Sequence, residues 1–176
     1  MMTTLAKRAA RAMDRRYGYD ASYLPEVATV SAGGALRLSV FLPLLSGYRA
    51  GAPVDLWAGA VIASTRDGDC GPCLQLVIDM ALEQGANPAA LRDALEGRLH
   101  EAGITGLGYR FGLAAISGAE DLPSLRQRIR DEFSEQALVS LSITAATGRA
   151  WPVVKRGLGH GMACTAVSID HQRLSL

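Results

Sequence analysis

The sequence predicts an all-α fold, a single helical domain over residues 1–176 with the basic stretch 1–20 as a helix on its surface. Three observations carry this. Apolar residues recur at spacings of three and four almost everywhere, and two-residue alternation is nearly absent. Alanine, leucine and glycine are abundant while aromatic residues make up only 6%, a mixture suited to helices packed through small side chains. Proline and glycine also fall where helices start and stop.

The elements follow in order. From Met1 to Tyr17, Lys7, Arg8, Arg11, Arg15 and Arg16 form a wet face and Leu5, Ala9 and Met13 an apolar one, the pattern of a surface helix. Ser31 to Gly34 is a turn before an apolar stretch that runs to Leu45. Ala52-Pro53 opens a helix through Asp55, Leu56, Ala60 and Ile62 that ends near Arg66 to Asp69. Cys70-Gly71-Pro72 opens the next, through Leu74, Val77, Ile78 and Ala81 to a stop at Gly85. Asn87-Pro88 has the form of an N-cap followed by proline at the first helical position, launching Ala89 to Leu95. Ile104 to Gly118 is apolar and glycine-rich and reads as helix. Leu122-Pro123-Ser124 begins an arginine-rich helix. Ser134-Glu135 begins a small-residue helix ending at Gly148, and Pro152 opens the last helix. The tail from Asp170 is expected to fray. Asp55, Gly68 and Pro72 recur as Glu135, Gly148 and Pro152 at one constant offset, which suggests an internal pseudo-repeat.

Several classes of function are disfavoured. A formal net charge of +1 points to no nucleic-acid partner. The best apolar run, Leu38 to Tyr48, lies between Arg37 and Arg49 and contains Pro43, so no membrane span is expected. No apolar stretch follows the early bases as a secretory leader requires, and a cytoplasmic location is expected. Three cysteines do not make a secreted disulfide framework. In a reducing compartment a C-x-x-C pair is redox-active or metal-binding more often than structural. Zinc needs four ligands, and His100, His160 and Cys164 are scattered through the chain, so no metal and no other cofactor is expected. His100 and His160 read as ordinary surface or packing residues, Met80 and Met162 as core, and Trp57 and Trp151 as core or interface anchors.

Chemistry concentrates at Asp69-Cys70-Gly71-Pro72-Cys73. Proline in the first turn places Cys70 just outside the helix and Cys73 just inside it. Unpaired N–H groups and the helix dipole there favour a thiolate. The three-residue spacing brings both sulfurs to one face, close enough for a reducible disulfide. Asp67 and Asp69 work against the thiolate, since nearby negative charge raises a thiol pKa. A thioredoxin reading of Cys-Gly-Pro-Cys fails, because a helical stretch separates Val54-Asp55-Leu56-Trp57-Ala58 from the cysteines and the βαβ strands are missing.

The organisation from Pro53 to Leu95 is an acidic helix start, a helix of small residues, C-x-x-C opening the next helix, then Gly-x-Asn-Pro opening another. It resembles the alkylhydroperoxidase D and carboxymuconolactone decarboxylase superfamily. That resemblance implies an all-α fold assembled as a homo-oligomer. In thiol-bearing members it also implies reduction of hydroperoxides or partner disulfides through a cysteine pair. The family's redox motif is an upstream glutamate and then C-x-x-C-x-x-x-H, with glutamate and histidine relaying a proton. Cys70 and Cys73 match the thiols, and the resemblance implies that Cys73 attacks. The histidine position falls on Val77, which transfers no proton. The glutamate position falls near Ala58, and Asp55, one turn earlier on the same face, is the stand-in. The lactone-decarboxylating branch typically lacks this dithiol.

The expected function is therefore a thiol–disulfide oxidoreductase or weak alkyl hydroperoxide reductase using Cys70, Cys73 and Asp55. Its partners would be a small-molecule peroxide or disulfide and a thiol electron donor. Homo-oligomerisation is expected because 33–45 and 137–146 are apolar over more of their circumference than one small core covers. The rival is a non-enzymatic helical homo-oligomer whose dithiol is a structural or redox latch.

Overall fold

The computed structural model describes residues 2–163 and 165–176, with residues 41–43 as backbone only. Along the described residues run nine helices and one hairpin. They are α1 (Met2–Tyr17), α2 (Tyr23–Val30), α3 (Ala32–Ser46), α4 (Val54–Asp67), α5 (Gly71–Glu83), α6 (Pro88–Leu95), α7 (Gly103–Ser117), α8 (Leu122–Glu132), α9 (Glu135–Gly157), β1 (Ala166–Ile169) and β2 (Gln172–Ser175). The all-α expectation holds, with the small hairpin as its exception.

Helix α4 is the axis of the fold. Every residue from Leu56 to Thr65 is buried, so the helix is covered on all sides by α7, α9 and α5. This explains why its sequence is apolar or small all round instead of amphipathic. On one side α4 meets α7 at backbone contact. A Cβ on Gly59 would collide with the carbonyl of Thr105, and one on Gly108 with that of Leu56. Gly108 and Gly112 thus serve close packing against α4, and the segment is helix as expected.

The helix starts at Asn87 and Ser134 form as read, while the turn read over 31–34 is instead the first turn of α3, capped by Ser31. Ser31 Oγ accepts the N–H of Gly34, Ser134 Oγ accepts that of Ala137, and Asn87 Oδ1 accepts those of Ala89 and Ala90. Each satisfies a donor that the first helical turn leaves open.

Two expectations near the C-terminus are corrected. Gly148 does not end a helix and Pro152 does not open one, because α9 runs unbroken from Glu135 to Gly157 with Pro152 inside it. Proline removes the N–H that would bond the carbonyl of Gly148. The hydroxyl of Thr65, on α4, donates to that carbonyl instead at 3.1 Å. Pro152 also packs where any side chain on Gly68 would sit. Of the two stretches whose sequences echo each other, one helix ends before Gly68 and the other continues through Gly148.

Nor does the tail fray. Strands β1 and β2 pair antiparallel, with Val167 opposite Leu174 and Ile169 opposite Gln172. Asp170 and His171 form the two-residue turn, both at positive φ (50° and 61°), the geometry whose twist matches a hairpin. Val167, Ile169 and Leu174 are buried in the main core. The amide of Gln75 completes the sheet edge, accepting from the N–H of Ser168 at 2.7 Å and donating to its carbonyl at 2.9 Å.

The first three helices form a layer of their own, joined to the rest through smaller apolar clusters. Helix α1 lies on the surface as expected, turned slightly from the anticipated face. Ala6 is buried and Ala10, Met13 and Tyr17 half-buried, while Leu5 is exposed. Arg16 and the hydroxyl of Tyr17 both bond Glu83 at the end of α5. Helix α2 has no counterpart among the expected elements. On α3, Leu36, Val40 and Leu44 form an exposed apolar stripe.

Candidate active site

The cysteines sit where α4 ends and α5 begins. Asp69 adopts positive φ (50°), turning the chain so that Cys70 becomes the N-cap of α5. Its sulfur accepts the N–H of Cys73 at 3.4 Å, and Pro72 occupies the first turn. The Cα atoms of Cys70 and Cys73 are 5.2 Å apart and the sulfurs lie at disulfide distance. The pair is buried, Cys70 at 1% exposure and Cys73 at 3%. Above Cys70, the N–H of Gly71 donates to the carbonyl of Met162 at 3.1 Å, so the segment after α9 passes over this side. Cys164 lies outside the described residues.

Between the N-terminal layer and the α4–α5–α9 core lies a cavity of about 340 Å³. Cys73 lines it, and Cys70 does not. Its walls are Met13, Leu24 and Leu38 from the outer layer, and Val61, Leu76, Val77, Met80 and Trp151 from the core. The polar groups among them are neutral, chiefly Tyr19, Tyr23, Thr65 and Thr147. A volume of this size is at the lower end of small-molecule pockets, and apolar walls with few polar groups are their usual composition. The indole N–H of Trp57, another lining residue, finds no hydrogen-bond partner among the described residues.

Other expected residues stand as follows. Val77, the position at which the resemblance implies a histidine, is one turn beyond Cys73 and lines the cavity. Ala58 is fully buried. Asp55 is not brought to the cysteines. Its carboxylate accepts the N–H of Asn87 at 2.8 Å, pinning the start of α6. Between residues 55 and 67 the helix rises about 18 Å, so Asp55 and Cys70 are at opposite ends of α4. The adverse charge of Asp67 is offset by Arg149, 3.0 Å away, and Arg156 bonds the carbonyl of Gly68. His100 is exposed, and Met162, expected in the core, is exposed as well. His160 bonds Glu26 at 2.8 Å and tilts against Tyr23, ring centroids 6.0 Å apart.

Three residues near Cys73 escaped the sequence reading. The hydroxyl of Tyr19 is 3.7 Å from the sulfur of Cys73. Tyr23 lines the same cavity, and the buried Lys155 lies over the rings of Tyr19 and Tyr23, its Nζ 4.6 Å and 5.4 Å from their centroids. Burial raises the pKa of both phenols above the ordinary tyrosine range and lowers that of Lys155. A compositional signal existed. Three of the five tyrosines fall between positions 17 and 23, and Lys155 is one of two lysines in an arginine-rich chain.

Among the described residues no three histidine, cysteine, aspartate or glutamate side chains gather as a metal site, and no helix is long and apolar enough to cross a membrane. The chain matches no protein-family model, no curated protein and no solved structure.

Proposed function

We propose that this protein is a thiol–disulfide oxidoreductase in which Cys73 attacks and Cys70 resolves, with slow hydroperoxide reduction as a side activity. One observation carries the reading. Of the two buried sulfurs, that of Cys73 borders an apolar cavity large enough for a small molecule, while Cys70 stands behind it within bonding distance. A helix start supplies the positive end of a dipole at the attacking sulfur. Among the described residues the cavity has no charged wall, so its favoured substrates are neutral and apolar, and a thiol donor would return the pair to its reduced form. The likeness of 53–95 to the alkylhydroperoxidase D superfamily belongs to this proposal, as does assembly of copies through the exposed stripe on α3.

Exchange and peroxide reduction make different demands. Disulfide exchange expels a thiolate, which leaves without a proton. Peroxide cleavage expels an alkoxide or hydroxide that needs one, and general acid help of this kind is worth about 10²–10⁴-fold. Reduced protein should therefore exchange rapidly with a neutral aromatic disulfide and turn over tert-butyl hydroperoxide slowly in a donor-coupled assay. Val77→His places an imidazole one turn from Cys73, facing the same cavity, and should raise peroxide turnover at least tenfold while exchange changes little. Fast peroxide turnover by the unsubstituted protein would contradict the assignment of roles.

The near-complete burial of both sulfurs favours a second reading, a latch that holds the start of α5 without turnover. Exchange no faster than global unfolding would select it.

A further inference from the structure

A thiolate at 3% exposure is poorly solvated, and burial alone pushes a thiol pKa up and makes the group inert. Reaction at Cys73 thus requires a donor inside the protein. Val77 supplies none. Tyr19 is within reach, its hydroxyl 3.7 Å from the sulfur. Against a thiolate, which has no proton to give, the Tyr19 hydroxyl is the donor of that contact. Because burial holds both phenols protonated beyond the ordinary tyrosine range, Tyr19 is a donor throughout the pH range in which a thiol titrates.

Behind these rings is Lys155, at 3% exposure. Its polar contact is the carbonyl of Asp20, at 3.3 Å, and its remaining neighbours include the faces of Tyr19 and Tyr23. A buried cation held by one carbonyl and two rings is costly, and the negative charge acting on it is that of the Asp20 carboxylate.

We propose that Tyr19 is the hydrogen-bond donor that holds the Cys73 thiolate, and that Lys155, a positioning residue behind the ring, orients and polarises it. A tyrosine and a lysine from outside the cysteine motif then take the place of the absent histidine. This rests on the redox reading above. In the step concerned, the Cys73 thiolate attacks one sulfur of a substrate disulfide. The substrate S–S bond breaks, and the departing sulfur leaves with the electron pair as a thiolate that takes a proton from solvent. Cys70, having released its proton to solvent, attacks the Cys73 sulfur, expels the second thiolate and closes the Cys70–Cys73 bond. Two electrons pass from the dithiol to the substrate, and Tyr19 keeps its proton throughout.

Other charges face this centre and must be held constant. They are Asp20, whose carboxylate is kept acidic by Ser22, the Asp67–Arg149 pair, Asp69, Arg156 on the carbonyl of Gly68, and His160 with Glu26 beyond Tyr23. All are left intact by the variants below.

The test uses the full chain carrying Cys70→Ser and Cys164→Ser, so that Cys73 is the only thiol, serine being a good helix cap. Alkylation rate is measured against pH with a small neutral reagent. Tyr19→Phe should slow alkylation at pH 7 about tenfold, the effect of losing a hydrogen bond to a charged group, with the alkaline plateau unchanged. Lys155→Met should move the midpoint in the same direction, and Lys155→Arg should restore most of it. A Tyr19→Phe midpoint coincident with the parent's overturns the proposal. If Tyr19→Phe loses its far-UV circular dichroism, the Lys155→Met profile decides, and an unmoved midpoint there overturns it equally. A parent protein that resists alkylation at every pH overturns the redox reading itself, and this proposal with it.

Discussion

Cys73→Ser is expected to reduce disulfide exchange and peroxide turnover by at least about a thousandfold, since it removes the attacking atom and not merely its surroundings. Cys70→Ser should behave differently. Cys73 still faces the cavity and still attacks, but nothing resolves the product, so a stable mixed disulfide between Cys73 and half of the substrate should accumulate. Intact-mass measurement after one equivalent of a neutral aromatic disulfide distinguishes the two variants. The asymmetry follows from the walls of the cavity, which Cys73 lines and Cys70 does not. Trapping on Cys70 in the Cys73→Ser protein would reverse the assigned roles.

The largest effect on stability is expected at Gly59. A methyl group there meets the carbonyl of Thr105 and crowds the N–H of Tyr109. Both are backbone atoms of α7 and have no rotamer by which to withdraw. Overpacking against side chains costs about 1–3 kcal/mol, and against backbone the upper end or more is expected. Gly59→Ala should therefore lose about 3 kcal/mol or more, a fall in Tm of about 6–12 °C for a chain of this size. Gly157→Ala is the control. Its Cβ would meet nothing within 4 Å, and its φ is not positive, so a neutral or slightly stabilising effect is expected. Thermal unfolding followed by circular dichroism compares them directly, and equal Tm values would mean that α4 and α7 do not meet as described.

What the sequence made legible was local. Ser31, Asn87 and Ser134 cap helices through hydrogen bonds to residues two or three positions away, and such signals survive any tertiary context. The dithiol was legible for the same reason, with Pro72 and the three-residue spacing held within one turn. Misreadings came where a distant element changes a local preference. Pro152 is a helix breaker by itself and becomes tolerable only because the hydroxyl of Thr65 reaches the carbonyl it strands. The C-terminal hairpin has strands of only four residues, too short for alternation to stand out, and its edge is completed by the side chain of Gln75. Asp55 was placed by helical face alone, and face does not tell which end of a helix faces which partner. The surroundings of Cys73 left only a compositional trace in the sequence, since Tyr19 comes from 54 positions upstream and Lys155 reaches back to Asp20 across 135.

The most direct test of a Cys70–Cys73 redox pair open to the cavity is a thiol map before and after oxidation. Reduced protein is treated with one equivalent of a neutral aromatic disulfide, alkylated and digested, and its peptides are identified by mass spectrometry. The expected result is one peptide in which Cys70 and Cys73 are linked, with Cys164 alkylated, formed faster than with a charged aromatic disulfide of the same size. Cysteines 70 and 73 both remaining alkylatable after the oxidant, or a link from either of them to Cys164, would contradict it.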